Sequence, residues 1–218
     1  MGGHSLKQVV GLVVAVVVLA SCAASSTSGS PSAVPRSATP DQVAAEAYCT
    51  QQGGQLVDRV AMSNTNGDPS ARLELAGRVR LCEFESTVDG DDSATRISVD
   101  LTTLSSEEPT LAAIAYLSKV PTPDPPTVGQ NPAEYTCRVS LQGTASFGNT
   151  NLSGGWVDAS QPVFEVMDLC VFADGSTIDE FGIWYYANDI VRGADLAPLL
   201  RYQPGAEGLP PIYERSRP

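Results

Sequence analysis

Three acidic and three aromatic side chains fall close together near the C-terminal end of the chain. They are Asp174, Asp179, Glu180, Trp184, Tyr185 and Tyr186. Paired carboxylates can hydrolyse glycosidic bonds, one acting as acid and the other as base or nucleophile. Aromatic residues on a surface instead mark a binding site. The segment therefore predicts a binding surface, with a carboxylate-dependent envelope glycan hydrolase as an alternative and with an ordinary turn and core-packed rings as the plainest interpretation.

Four cysteines form two pairs with the same spacing. Cys82 follows Cys49 by 33 residues, and Cys170 follows Cys137 by 33 residues. Four cysteines allow three pairings, and the repeated spacing favours Cys49 with Cys82 and Cys137 with Cys170. A metal site made of all four thiolates is disfavoured, because metal fingers usually place two ligands roughly two to four residues apart. The sequence predicts two disulfides, no metal and no cofactor.

The fifth cysteine, Cys22, follows a segment typical of an export signal. A short polar stretch containing Lys7 precedes an apolar run from Val9 to Ala20. This run is shorter than the roughly 20 residues of a membrane-spanning helix, so it suits a cleaved signal peptide. Leu19-Ala20-Ser21-Cys22 resembles the bacterial lipobox. That resemblance implies that Cys22 carries acyl chains such as palmitate and that the protein is anchored to the outer face of the cell membrane.

Composition argues against several functions for the mature chain. Cleavage after residue 21 removes His4 and Lys7, which leaves no histidine, 12 basic and 25 acidic residues, and a formal charge of −13. A chain without histidine has no Ser-His-Asp or Cys-His centre and no zinc site with imidazole ligands. The negative charge disfavours nucleic acid as a partner. We expect the partners to be the membrane, through the lipid anchor, and a protein or envelope component of unknown identity.

Helix-capping residues and the alternation of apolar with polar residues indicate which helices and strands position these residues. Thr39-Pro40 and Asn131-Pro132 are typical helix starts, and another helix is predicted after Pro109. Strands are predicted in LAGRVRLCEFES, TRISVDL and VFEVMDLCVF. The aromatic segment FGIWYYA is interpreted as one more strand. The predicted fold class is α+β.

The two halves of the chain contain similar short sequence motifs in the same order. AEAYC and AEYTC are 88 residues apart, as are LCEF and LCVF, and the offset becomes 85 at the turn pairs Asp89-Gly90 and Asp174-Gly175. We predict two repeated small modules (helix, antiparallel strands, helix), each with one disulfide. Chance convergence is the alternative, and the sequence leaves open whether the modules share one core.

The predicted organisation has six parts. A Ser/Thr/Ala/Pro/Gly-rich segment cannot bury enough apolar surface to fold, and a second proline-rich segment separates the halves. In order, the parts are the signal peptide 1–21, the tether 22–40, the first module 41–120, the linker 121–132, the second module 133–205 and the tail 206–218.

The second half resembles a known family. NPAEYTC and LCVFADGSTIDEFGIWYY are similar to the small cysteine-containing domain of unknown function found in bacterial envelope proteins, a domain often labelled as a hemolysin. The first half supplies Tyr48-Cys49 and Gly53-Gly54 of the same pattern. The family often carries further cysteines after the acidic pair, and none follows Cys170 here. The resemblance and the composition together predict a non-enzymatic binding or structural module, with an inhibitor of a protein partner as an alternative.

Overall fold

The computed structural model describes residues 39–65, 67–87, 94–121, 129–146, 154–160 and 166–210. Over these residues the fold is α+β, with antiparallel strands and two disulfides, as predicted. The predicted signal peptide, Cys22, and the tether up to residue 38 lie outside the described residues, as do 122–128 of the predicted linker and 211–218 of the tail. No helix within the described ranges is long and apolar enough to cross a membrane.

Each half contains a helix followed by antiparallel strands and a further helix. The first half contains helix α1 (Pro40–Gln51), strands β1 (Gln55–Ser63), β2 (Leu73–Thr87) and β3 (Ala94–Asp100), and helices α2 (Leu101–Ser105) and α3 (Leu111–Ser118). The second half contains helix α4 (Pro132–Tyr135), continued by a π-helical turn (Thr136–Ser140), strands β4 (Thr144–Ser146), β5 (Gly154–Asp158), β6 (Leu169–Val171) and β7 (Thr177–Asp179), and helix α5 (Glu180–Ala187).

Helix starts follow the predicted capping signals. The Thr39 hydroxyl accepts a hydrogen bond from the backbone N of Gln42 at 3.2 Å, and Pro40 is the first residue of α1. The Asn131 side chain accepts one from the backbone N of Ala133 at 2.9 Å, and Pro132 begins α4. These bonds satisfy donors that have no partner inside the helix.

The seven strands in the described ranges belong to one sheet, a half-barrel with the order β4-β6-β7-β3-β2-β1-β5. The single residue pair Val99 and Ile178 joins β3 to β7 and so connects the two halves. Strand β5, from the second half, pairs with β1 of the first. In addition, Trp156 of β5 bridges to Met167, which lies just before β6. The halves are therefore interleaved within one sheet.

One cluster of buried side chains contains all four bridged cysteines. The disulfides join Cys49 to Cys82 and Cys137 to Cys170, which confirms the predicted pairing. A glycine lies against each bridge: a Cβ on Gly54 would lie 2.4 Å from the Cys82 sulfur, and one on Gly143 would lie 2.5 Å from the Cys170 sulfur. No larger side chain fits at either position without a shift.

Two expectations about the second half are wrong. The segment FGIWYYA lies in helix α5, because the Asp179 carboxylate caps its N-terminus by accepting from the backbone N of Phe181 at 2.9 Å. The 85-residue offset also fails. Val99 lies opposite Cys82 and Ile178 lies opposite Cys170, so the third strands correspond at an offset of 79 residues. The connection between the second and third strands is thus nine residues shorter in the second half, not three.

Candidate functional site

A cleft of about 710 Å³ opens where α5 packs beside β3 and β7. Four charged side chains line it, two basic and two acidic: Arg96, Arg192, Asp168 and Asp179. Sheet geometry explains this position for Arg96 and Asp179, since successive strand residues point to opposite faces. Their neighbours Ile97 and Ile178 are buried in the main core. Arg96 and Asp179 therefore point to the other face.

A buried ion pair lies on the same face of the sheet as Arg96. Arg59 is fully buried, and its Nη2 atom lies 2.5 Å from Oε2 of Glu83. The hydroxyl of Ser98 also donates to this Glu83 oxygen at 2.6 Å. A buried charge needs such partners to offset its lost hydration. This face of the sheet therefore contains a buried ion pair whose carboxylate is also hydrogen-bonded.

Burial raises the pKa of the Asp179 carboxyl to about 6. Backbone N–H groups of α5 and the guanidinium groups of Arg192 and Arg96 act in the opposite direction, because they stabilise the ionised form. Only 4% of Asp179 is exposed. The guanidinium groups of the cleft thus favour the ionised form of Asp179, against the effect of burial.

Asp168 has a different environment. Its pKa is raised to about 6 first by burial and then by the negative charges of Glu134 and Asp179. Its Oδ1 atom is buried and has no hydrogen-bond partner within the described residues. A buried acceptor without a donor costs roughly 1–3 kcal/mol. Asp168 is therefore the carboxylate in this cleft that lacks a compensating donor.

Glu180 lies behind the cleft and is not part of its lining. The residue is 0% exposed, and neither carboxyl oxygen has a hydrogen-bond partner among the described residues. Its pKa is raised to about 8, first by burial and then by the charges of Asp168 and Glu134. Arg138, which donates to Glu134 at 2.9 Å, opposes this shift in part. Glu180 is consequently protonated at neutral pH.

The predicted aromatic residues divide between the cleft and the core. Tyr185 lines the cleft with Phe181, and the guanidinium of Arg192 lies 5.1 Å from the Tyr185 ring centroid. Trp184 is half-buried and packs edge-on against Tyr185, with ring centroids 4.7 Å apart. Tyr186 is buried and stacks on Tyr116 at 3.9 Å. Tyr185 is thus the one of the three predicted aromatic residues that lines the cleft.

Asp174 lies away from the cleft and caps a helix of the other half. Its Oδ2 atom accepts from the backbone N of Leu111 at 2.8 Å, and the Ser176 hydroxyl accepts from that of Ala112 at 3.0 Å. The Thr110 hydroxyl accepts from the next amide. Together these bonds satisfy the first three N–H groups of α3. The Asp-Gly-Ser turn is therefore structural.

The rim of the cleft is apolar. Val166, Ile190 and Val191 are 43%, 49% and 50% exposed. Gly193 fixes the segment that carries two of them: it has a φ of +64°, and a Cβ there would lie 2.1 Å from the Phe84 carbonyl oxygen. Its backbone N donates to the Thr95 hydroxyl at 3.2 Å. The segment from Ile190 to Arg192 is thus held against the sheet.

Sequence reasoning found part of this site. Asp179 and Tyr185 were expected to lie together and do line one cleft, with Glu180 behind them. Asp168, Arg192 and the apolar rim were missed, because only the fold brings their segments to α5. Among the cleft residues absent from the predicted surface, Arg96 had a signal in the sequence, because the alternation in TRISVDL assigns it to the face opposite Ile97.

The described residues contain no group of three or more His, Cys, Asp or Glu side chains placed to hold a metal ion. The chain was compared with protein-family models, with curated proteins and with solved structures, and none of the three comparisons finds a match.

Proposed function

We propose that this protein is a lipid-anchored envelope lipoprotein with a non-enzymatic binding module, and that the cleft beside α5 is its binding site. One observation carries the proposal: the cleft combines fixed charged groups with an exposed apolar rim. Ligand sites usually have this character, with mainly apolar walls and a few placed polar groups, and they often lie at the mouths of barrels.

We also propose that the two halves are diverged copies of one module, related to the family that the second half resembles. The helix starts at Thr39-Pro40 and Asn131-Pro132 support this, as do the glycines packed against each disulfide. The strand order supports it further, because β3-β2-β1 and β7-β6-β4 run outward from the β3–β7 junction, so that each half places its three strands in the same order. The cleft then belongs mainly to the second copy.

Membrane anchoring is tested by substituting the acylated cysteine. We expect the unmodified protein to sediment with the membrane fraction. The Cys22→Ala variant should carry no acyl chain, and its membrane association should fall strongly, since acyl chains contribute about 0.8 kcal/mol per buried CH₂. Metabolic labelling with a palmitate analogue followed by fractionation measures both effects. Ser25→Ala serves as the control, because it changes a residue three positions after Cys22 and keeps the lipidation site. Equal labelling of the Cys22→Ala variant and the unmodified protein would refute the lipoprotein assignment.

The binding site is tested by locating small molecules on the folded chain. An amide NMR screen of chemically diverse fragments is expected to give shifts that cluster at the cleft, at residues such as Phe181 and Tyr185. Other surface grooves serve as internal controls, for example the one between Gln55 and Ser160. Fragments that avoid the cleft would contradict the proposal.

A second candidate function is hydrolysis of an envelope glycan. The observation that favours it is that Asp168 and Asp179 line the same cleft and both have a pKa raised to about 6. Glycosidases use one protonated and one ionised carboxyl group. Release of reducing ends from cell-wall polysaccharide, lost in both Asp168→Asn and Asp179→Asn, would replace the binding proposal with this one.

A further inference from the structure

Asp168 lines the cleft, and two buried acidic residues, Glu134 and Glu180, lie on elements that pack beside it; we call Glu134, Asp168 and Glu180 the acidic site. Glu134 and Glu180 are 5% and 0% exposed, and Asp168 opens to the cleft. The backbone N of Glu180 donates to the Asp168 carbonyl oxygen at 3.1 Å, and helix α4, which carries Glu134, packs against α5, which begins at Glu180. The Glu180 carboxyl group has no hydrogen-bond partner among the described residues. Arg138 is bound to Glu134 from the exposed side.

The register of the sheet identifies the corresponding positions in the first half. Leu81 pairs with Asp100, and Leu169 pairs with Asp179. The residues that precede these leucines, Arg80 and Asp168, therefore correspond to each other. The residues that follow the two aspartates, Leu101 and Glu180, correspond in the same way. Glu46 and Glu134 each lie three residues before a bridged cysteine.

In the first half, a guanidinium group occupies this position. Arg80 lies 2.9 Å from the carboxylate of Glu46 and donates two hydrogen bonds of 2.7 Å to that of Asp58. In the second half the matching glutamate is kept, but the arginine is replaced by Asp168. A leucine is also replaced by Glu180. The cation that binds the glutamate of the second half is Arg138 instead, so Asp168 has no arginine at the place where the first half has Arg80.

The two arginine side chains of the cleft act on carboxyl groups outside the acidic site. The guanidinium groups of Arg96 and Arg192 act on Asp179, and Arg96 also interacts with Glu83. The charges that act on Asp168 come from Glu134 and Asp179, which are acidic. The buried Oδ1 atom of Asp168 has no donor among the described residues, and Asp168 lines the cleft, so a ligand in the cleft can supply one.

We propose that the acidic site binds a guanidinium or primary ammonium group carried on an apolar stem, and that Asp168 is the residue that binds this cation. The ligand cation takes the place that Arg80 has in the first half, and its stem lies along the apolar rim at Val166 and Val191. This inference rests on the proposed function, because it names the chemistry that the cleft recognises.

The test uses three probes with the same four-carbon stem and different head groups, titrated into the full chain and followed by amide NMR. We expect n-butylguanidinium to shift the amides of Asp168 and Phe181 and to bind at least tenfold more tightly than n-butanoate or n-butanol. A blocked tripeptide with a central arginine is titrated in parallel. At least tenfold tighter binding of the tripeptide identifies a polypeptide ligand, and equal binding identifies a small free cation.

Variants assign the effect to Asp168. Asp168→Asn should weaken n-butylguanidinium at least tenfold, and Asp168→Arg, which introduces the first-half residue, should remove binding because the new guanidinium occupies the site. Glu207→Gln removes an exposed acid that does not line the cleft and should leave the affinity unchanged. Equal affinity in Asp168→Asn, or preferred binding of n-butanoate in the cleft, would overturn the inference and leave the cleft as a binding site. Absence of any probe or fragment from the cleft would overturn both proposals.

Discussion

Removing either disulfide is expected to lower the free energy of unfolding by about 3 to 4 kcal/mol. Cys49–Cys82 and Cys137–Cys170 both have a sequence separation of 33 residues, so on the chain-entropy model they restrict the unfolded chain equally. Both also lie in the same core cluster at 0% exposure. Denaturant unfolding of Cys49→Ala/Cys82→Ala and of Cys137→Ala/Cys170→Ala measures the two losses.

Near-equal losses also fit the proposed duplication, since equivalent bridges in two copies of one module should contribute alike. Cys22→Ala is the control, because Cys22 belongs to neither bridge, and it should leave the unfolding free energy unchanged. A bridge whose removal costs less than about 1 kcal/mol would show that it constrains little of the unfolded chain. That result would contradict the view that each half depends on its own disulfide.

Replacing Glu180 by leucine is expected to stabilise the protein, by a few kcal/mol at pH 8. The carboxyl group is buried without a hydrogen-bond partner in the described structure, and its pKa is raised from 4.5 to about 8. Each pKa unit corresponds to about 1.4 kcal/mol. Leucine is also the residue at the corresponding first-half position, Leu101, where it is buried. Thermal and denaturant unfolding over a range of pH measure the gain.

The pH dependence distinguishes the charge of Glu180 from its packing. Between pH 4.5 and about 8 the unfolded state loses the Glu180 proton while the folded state keeps it, so the contribution of this residue to stability falls as pH rises. Below pH 4.5 both states are protonated. The Glu180→Gln variant should therefore match the unmodified protein near pH 4 and exceed it in stability at pH 8. A constant difference across this range, or the same pattern in Glu207→Gln, would contradict the assignment.

Local signals in the sequence were enough to predict the helix starts and the disulfides. Thr39 and Asn131 cap helices through their own side chains, within three residues along the chain. The cysteine pairing followed from one repeated spacing, which the fold confirms. Alternation also assigned Ile97 and Val99 to the buried face of their strand.

Longer-range contacts decided what the sequence could not reveal. FGIWYYA is apolar enough for a strand or a helix, and the cap supplied by Asp179 together with the packing of Tyr186 on Tyr116 makes it a helix. Asp174 was expected at a binding surface, but it caps a helix that begins 63 residues earlier in the chain. The cleft itself depends on the pairing of Val99 with Ile178, which no local pattern indicates.

The most direct test of the central claim is to see where small molecules bind on the full chain. An amide NMR fragment screen, with Cys22→Ser to prevent acylation, reports every contact on the folded part in one experiment. If the cleft beside α5 is the binding site, the shifted amides will cluster at Asp168, Phe181 and Tyr185, and Asp168→Asn will change which fragments bind. Fragments that bind only at other grooves, or shifts that Asp168→Asn leaves unaltered in every case, would contradict the account.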